Sequence, residues 1–283
     1  MPGAQGPVLM TRCAVLGSPI AHSLSPAMHR AAYAALGLDW RYDAYEVEEA
    51  ELAGFVAGLG QDVRGLSLTM PLKRVALDLV DTVDPVAELI GAANTMLLEP
   101  DGSRSAHNTD VPGLVNAFAE RGITAADSAV VLGGGATAAS TLAALRGLRV
   151  SEVTLVVRDV AKAERLRDLA AELGLRTAVA DFSQVEQIGG FDLCVSTLPG
   201  GAADPWAEHF AGVAPVVFDV AYHPWPTRLA IAAHRVGTEL LNGLDLLVHQ
   251  ATLQVEMMTG RSPAPLAAMR AAAREELGDR EPA

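Results

Sequence analysis

Aromatic residues make up only 5% of the 283-residue sequence, and there are just 2 cysteines. With so few rings the core has to be built from Ala, Val and Leu, a composition that suits alternating strands and helices. Cys13 and Cys194 each lie inside an apolar run, CAVL and DLCVST, so both are expected as buried, reduced thiols rather than a disulfide or a metal site. No run reaches the roughly 18 apolar residues that a membrane helix needs. The opening MPGAQGPVLM has no basic stretch leading into an apolar one, so a cytoplasmic location and no membrane partner are expected. Cations are scarce as well, with 21 Lys and Arg against 34 Asp and Glu, a formal charge of -13. That balance disfavours nucleic acid, whose affinity rests on clustered Lys and Arg. A small anionic ligand would have to be held by local hydroxyls, amides and single cations. Repeats, low-complexity tracts and Pro- or Ser-rich linkers are missing too, which points to structured crossovers between the two domains that this length allows.

What is present reads as α/β. After a flexible tail at residues 1–10, TRCAVLG is a first strand, and Ser25-Pro26 opens a helix, the serine as capping hydroxyl and the proline at the first helical position. Gly37 ends it. RYDAYEV reads as a strand, EEAELAGFVAGLG as an amphipathic helix, RGLSLT as a strand and PLKRVALDLV as a helix started by its proline. NTMLLE and SRSAH flank the turn Pro100-Asp101-Gly102, a hairpin that makes the first sheet mixed. From DVPGLVNAFAERG onward the rhythm changes to short apolar strands, SAVVL, VTLVV, LRTAVA, FDLCVS and PVVFDV, alternating with helices, as in a parallel sheet covered on both faces. LDLLVHQATLQVEMMTG and PLAAMRAAAREEL are helical with no strand after them, and are expected to return to the first domain. The division is therefore 11–109 with 245–283, and 110–244.

VVLGGGATAAS sets Gly133, Gly135 and Ala138 in a G-x-G-x-x-A spacing between a strand and a helix. The first glycine permits the tight turn, the second lets backbone amides approach a pyrophosphate, and the small third residue allows close helix packing. Gly133, Gly134, Gly135, Ala136 and Thr137 are therefore candidate dinucleotide contacts, against the alternative of an Ala/Gly-rich helix start. At the end of the next strand Arg158 precedes Asp159. A guanidinium there favours the 2′-phosphate of NADP, while Asp159 could be a helix cap or a ribose ligand that permits NAD.

Four polar clusters fall where strands give way to loops: Ser23-Leu24-Ser25, Thr69-Met70-Pro71-Leu72-Lys73, Asn94-Thr95 and Asn108-Thr109-Asp110. Taken singly each has a bland explanation. Ser23 and Ser25 could cap a helix, Lys73 could be a solvated first-turn residue, Asn94 could satisfy loop backbone and Asp110 could cap the next helix. Taken together, and with GSPIAHSLSPAMH, LTMPLK, GAANT, NTD, STLPG, DVAYHPWPTRL and NGLDLLVHQA in this order, the sequence resembles the shikimate dehydrogenase family over about residues 12 to 260.

The resemblance implies reversible reduction of 3-dehydroshikimate to shikimate by NADPH, a step of aromatic amino-acid and chorismate biosynthesis. It implies a mixed-sheet substrate domain and a Rossmann-type NADP domain. By resemblance Ser23 and Ser25 hold the substrate carboxylate with help from Tyr222, while Thr69, Lys73, Asn94, Asp110 and Gln250 grip the ring oxygens. Ser196, Thr197, Val220, Gly243 and Leu246 line the ribose-nicotinamide end, each with a capping or core role as its alternative. The pattern departs from the family at Ser67, where asparagine is common, at Ala136, at His107 and at Val157 beside Arg158. A lysine ammonium can stabilise and protonate an alkoxide, so Lys73 is expected as the proton donor with Asp110 orienting it. His22, His107, His249 and Tyr45 are the competing acid-base candidates. An NAD-dependent quinate/shikimate dehydrogenase and a non-catalytic nucleotide sensor are the alternative functions, and a homodimer stays open.

Overall fold

The structure is a computed structural model and is described here for residues 10–278; of the expected tail only Met10 falls among them. The chain divides into two compact units, one running to Thr109 and taking up Ala251–Glu276, the other spanning Asp110–Gln250 with the residues from Leu277.

The first unit contains β1 (Arg12–Gly17), α1 (Ser25–Ala35), β2 (Arg41–Glu46), α2 (Glu49–Ala57), β3 (Val63–Leu68), β4 (Thr82–Val83), α3 (Pro85–Ile90), β5 (Thr95–Leu98) and β6 (Arg104–His107). Its sheet runs β2-β1-β3-β5-β6-β4. β5 is antiparallel to both β3 and β6, and the other pairings are parallel. The mixed sheet expected from the hairpin is therefore present, with Gly102 at φ +89 in the turn and Asp101 accepting from Ser103 N at 2.9 Å. One face buries Leu16, Leu52, Leu66, Leu68 and Met96. The other buries Val15, Tyr33, Tyr42 and Met258.

The second unit continues with α4 (Asp110–Glu120), β7 (Ser128–Leu132), α5 (Ala136–Gly147), β8 (Glu152–Val157), α6 (Glu164–Glu172), β9 (Arg176–Asp181), β10 (Leu193–Ser196), α7 (Ala207–Gly212), β11 (Val216–Asp219), α8 (Arg228–Val236) and β12 (Glu239–Asn242). All its strands are parallel, in the order β12-β11-β10-β7-β8-β9. The order reverses between β7 and β10, the doubly wound arrangement in which ligands bind outside the strand ends at the switch point. Apolar side chains fill the sheet faces, among them Val130, Leu132, Cys194, Phe210 and Val217. Both cysteines are free and buried as expected, and burial pushes the Cys13 thiol up to about 11 and the Cys194 thiol up as well. The chain closes with α9 (Gly243–Thr259) and α10 (Leu266–Leu277). Among the described residues no helix is long and apolar enough to cross a membrane.

Several local expectations change. PLKRVALDLV is not an α-helix: Lys73 lies in a turn and a 3-10 helix follows at Val75–Leu79. The cause is visible in the backbone. The carbonyl of Lys73 accepts from Ala93 N at 2.7 Å, so Leu77 N turns to Arg74 O at 3.2 Å instead of closing an α-helical bond. Ser25 does not cap α1 but is its first helical residue, with Leu24 before it and the Ser23 hydroxyl accepting weakly from Ser25 N at 3.4 Å. Asp159 does cap, accepting from Ala161 N at 3.1 Å, but it caps a 3-10 turn at Val160–Ala163 that leads into α6. Some strands and α-helices are not marked in the sequence. Among them are β4, β12 and α3, the last opened by Asp84-Pro85 with the carboxylate accepting from Val86 N at 2.8 Å. The changeover between units falls inside α9, at Gln250/Ala251, where the sequence suggested residue 245.

Candidate active site

In the first unit the topology gathers four chain segments at one sheet edge. Ser23 and Ser25 follow the C-terminal end of β1, and Thr69 and Lys73 follow that of β3. β5 runs antiparallel to β3, so Asn94, just before β5, comes to the same edge, and the reversed β6 delivers Asn108 and Thr109 there. Backbone bonds lock the gathering. Thr69 N donates to Leu16 O at 3.0 Å, Leu68 N to Asn94 O at 2.8 Å, Ala93 N to Lys73 O at 2.7 Å and Asn94 N to His107 O at 3.0 Å. Gly17 is required by this closeness, because a Cβ there would meet Met70 O at 2.8 Å and the Thr69 methyl.

Asn94 is buried, and its Oδ1 accepts from Thr109 N at 2.8 Å and from the Thr95 hydroxyl at 3.0 Å, while its Nδ2 donates to the Thr109 hydroxyl at 2.9 Å. Beneath it lies a polar chain the sequence did not reveal. The Tyr42 hydroxyl donates to Ser67 Oγ at 2.5 Å, Ser67 donates to Gln254 Oε1 at 2.8 Å, and Gln254 Nε2 donates to Asn94 O and Thr95 Oγ1, both at 2.9 Å. Nothing local marks Gln254 in LQVEMM as anything but a helix residue; its role appears only when α9 packs on β3.

Asp110, Tyr222 and Gln250 belong to the second unit. Asp110 is buried in the first turn of α4, next in chain to Thr109. Tyr222 is half-buried, and burial raises its phenol. Gln250 is buried, with its amide donating to Leu247 O at 2.8 Å and its backbone so near Gly113 that a Cβ there would lie 2.9 Å from Gln250 N.

The nucleotide loop follows β7. Gly133 sits at φ +114, where L side chains are strained, and a Cβ on it would run into Thr197 Oγ1. Thr197, after β10, returns the contact by donating N–H and hydroxyl to Leu132 O, each at 2.8 Å. Gly134 comes next, and Gly135 is the N-cap of α5, a cap with no side chain, ahead of Ala136 and Thr137 in the first turn. The loop therefore sets exposed backbone without side chains, at Gly134 and Gly135, before the first turn of α5, the kind of place where helix N-termini hold phosphate groups. Arg158 is exposed just beyond β8 and lines, with Asp159, Phe182, Ser183 and Trp206, a cavity of about 450 Å³ in which Phe182 and Trp206 stack at 4.2 Å. Asp159 is engaged in its cap and turned to that task.

On the far side of the switch point Ser196 O accepts from Val220 N at 2.9 Å, and Gly243 N donates to Ala221 O at 3.2 Å. Gly243, at the start of α9, leaves no room for a Cβ, which would sit 2.7 Å from the Val220 carbonyl carbon; Leu246 lies buried one turn on. The loop that carries Val220 and Tyr222 is anchored by Asp219, another residue missed in the sequence. Its buried carboxylate accepts from the Thr227 hydroxyl at 2.6 Å and Ala221 N at 3.3 Å, while burial outweighs these bonds and raises its pKa. Three of the four competing acid-base candidates have other partners: His107 Nε2 lies 2.9 Å from Ser105 Oγ, His249 Nε2 lies 2.9 Å from Glu120 Oε2, and Tyr45 packs on Phe55.

Fold and loop together define a dinucleotide-binding α/β protein with a second, mixed-sheet unit whose polar edge suits a small hydroxylated ligand. Comparison with known proteins narrows this. Residues 15–96 match the family model of the shikimate dehydrogenase substrate binding domain, and residues 243–274 that of the shikimate 5'-dehydrogenase C-terminal domain. A shikimate dehydrogenase (NADP(+)) from Caulobacter vibrioides is 35% identical over 94% of this chain and 95% of its own. The crystal structure of Mycobacterium tuberculosis shikimate dehydrogenase superposes with a TM-score of 0.87 at 42% identity, covering 94% of this chain and 99% of that one. That of Thermus thermophilus shikimate 5-dehydrogenase in complex with NADP(H) and shikimate gives 0.83 at 35%, covering 94% and 100%. The chain belongs to the shikimate dehydrogenase family.

Proposed function

We propose that Lys73 and Asp110 handle the proton in an NADP-dependent shikimate dehydrogenase, which interconverts 3-dehydroshikimate and shikimate in aromatic amino-acid biosynthesis. The observation that carries the site assignment is the gathering of Ser23, Ser25, Thr69, Lys73 and Asn94 at one sheet edge, with Asp110 next in chain to the Thr109 that Asn94 holds. NADPH, when bound, supplies the hydride. Gly133, Gly134, Gly135, Ala136 and Thr137 would hold its pyrophosphate and Arg158 its 2′-phosphate, with Ser196, Thr197, Val220, Gly243 and Leu246 along the ribose-nicotinamide end.

The remaining steps belong to the protein's own side chains. Ser23 and Ser25 donate to the substrate carboxylate with Tyr222, and Thr69, Asn94 and Gln250 grip ring hydroxyls, so that an analogue lacking an oxygen leaves a buried polar group unpaired. Lys73 stabilises the oxygen that gains negative charge and gives it a proton; Asp110 orients the ammonium and accepts from the neighbouring hydroxyl. In oxidation Lys73 takes the proton back. The reaction is placed in the cytoplasm.

The test is the loss of absorbance of NADPH and of NADH with 3-dehydroshikimate, repeated in reverse with shikimate and quinate. Faster consumption of NADPH, and of shikimate over quinate, is expected. No turnover with either cofactor would return the chain to a nucleotide sensor, and a preference for NADH would overturn the role of Arg158.

A further inference from the structure

Gln254 is buried in the middle of α9 with every polar atom of its side chain used, and its two ends reach different strands. We propose that Gln254 is a positioning residue for substrate binding: it holds the backbone carbonyl of Asn94 directly and the side-chain amide of Asn94 through Thr95. The inference rests on the reading of Asn94 as a substrate contact.

Counting protons gives the chain its direction. Tyr42 donates its one hydroxyl proton to Ser67, and Ser67 donates its own to Gln254 Oε1. An oxygen so fixed leaves the Gln254 NH2 aimed at Asn94 O and Thr95 Oγ1. Thr95, accepting there, spends its single proton on Asn94 Oδ1, which also takes the backbone N–H of Thr109. A flipped Asn94 amide would set its NH2 against two donors, so the side chain is held with its oxygen on the Thr95 hydroxyl and Thr109 N and its nitrogen, which donates to the Thr109 hydroxyl, as the end that a substrate oxygen would meet. Asn94 O receives Leu68 N as well as Gln254, which fixes the residue's backbone relative to β3 and hence to Thr69. Tyr42, Ser67, Asn94 and Thr95 are all buried, so each bond lies where water cannot replace it.

Steady-state kinetics of shikimate oxidation with NADP+ test this in five variants: Gln254→Met, Asn94→Ala, the two combined, Thr95→Val and Thr95→Ser. Gln254→Met is expected to raise the KM for shikimate about tenfold, with kcat and the KM for NADP+ within about twofold, as for a lost binding interaction. In the Asn94→Ala background the same change should add less than about twofold, because its effect passes through Asn94. Should Gln254→Met fail to fold, Thr95→Val is expected to repeat the KM effect and Thr95→Ser to restore the wild-type value. A folded Gln254→Met with unchanged KM, effects that multiply in the double variant, or Thr95→Val equal to wild type overturns the inference while Asn94 stays a substrate residue. An unchanged KM in Asn94→Ala alone removes the assignment of Asn94 and the inference with it.

Discussion

The imidazole of His29 stacks on the ring of Tyr42, centroids 4.0 Å apart and planes 21° apart, with neither residue reached by solvent. Its Nδ1 lies 3.4 Å from the Tyr33 hydroxyl, and no carboxylate is among the groups that set its protonation. Burial pushes its pKa down from 6.5 to about 3, against a smaller upward pull from Gln254. The unfolded chain therefore binds a proton near pH 6.5 that the folded chain refuses until about pH 3, so this residue costs stability as pH falls through that window and nothing above it. The slope is about 1.4 kcal/mol per pH unit. Urea denaturation of His29→Phe, which keeps the stack, should show a flatter loss of stability between about pH 6 and 4 than wild type; parallel curves would show that His29 titrates freely in the fold.

Lys73 sits in a turn whose backbone is pinned by Ala93, not on a solvated helix, so its ammonium is carried by rigid chain. Lys73→Ala should lower kcat by about two orders of magnitude or more with little change in KM, because in its proposed role the lost group acts on charge that develops only during reaction. Near-normal turnover would sink its role.

That turn shows where the sequence stopped being legible. Strands β1, β3 and β7 to β11 announced themselves as apolar runs, and the hairpin by its Pro-Asp-Gly turn. The segment after Thr69 looked helical because its pattern is helical, and only a distant amide, Ala93 N, takes the carbonyl that a helix would have used. β12 is four residues, ELLN, too short and too polar at its ends to stand out. The proposed site residues at strand ends could be nominated from the sequence because strand ends are where such folds keep their ligands. Gln254, Ser67 and Asp219 were not, since a buried polar residue acquires meaning from partners far away in sequence, 187 positions for Ser67 and Gln254.

Arg158 extends from the end of β8 beside Phe182 and Trp206, while the neighbouring Asp159 is occupied by Ala161 N. A guanidinium on a phosphate forms charge-assisted bonds, so Arg158→Leu should raise the KM for NADPH by about tenfold or more and leave that for NADH nearly unchanged. Equal effects on both cofactors would mean that Arg158 meets something other than the 2′-phosphate.

Two glycines in helical surroundings separate close approach from mere permissiveness. Gly54 lies inside α2 with nothing within 4 Å of a built Cβ and no left-handed φ, so Gly54→Ala should stabilise the protein by about 0.5–1 kcal/mol through the lower entropy of the unfolded chain. At Gly243 the same methyl would lie 2.7 Å from the carbonyl carbon of Val220 and 2.9 Å from that of Ala221, and both are backbone atoms that no rotamer change can move. Either α9 shifts or the Val220–Tyr222 loop does, and that loop is tethered at Asp219 by the Thr227 hydroxyl. Gly243→Ala should therefore cost about 1–3 kcal/mol. It should also weaken NADP+ binding, since Val220 and Gly243 share the ribose-nicotinamide end of the proposed site. Thermal unfolding and NADP+ titration of the two variants check both statements. A Gly243→Ala protein as stable as Gly54→Ala, with unchanged NADP+ affinity, would show that this corner can yield and does not shape the cofactor site.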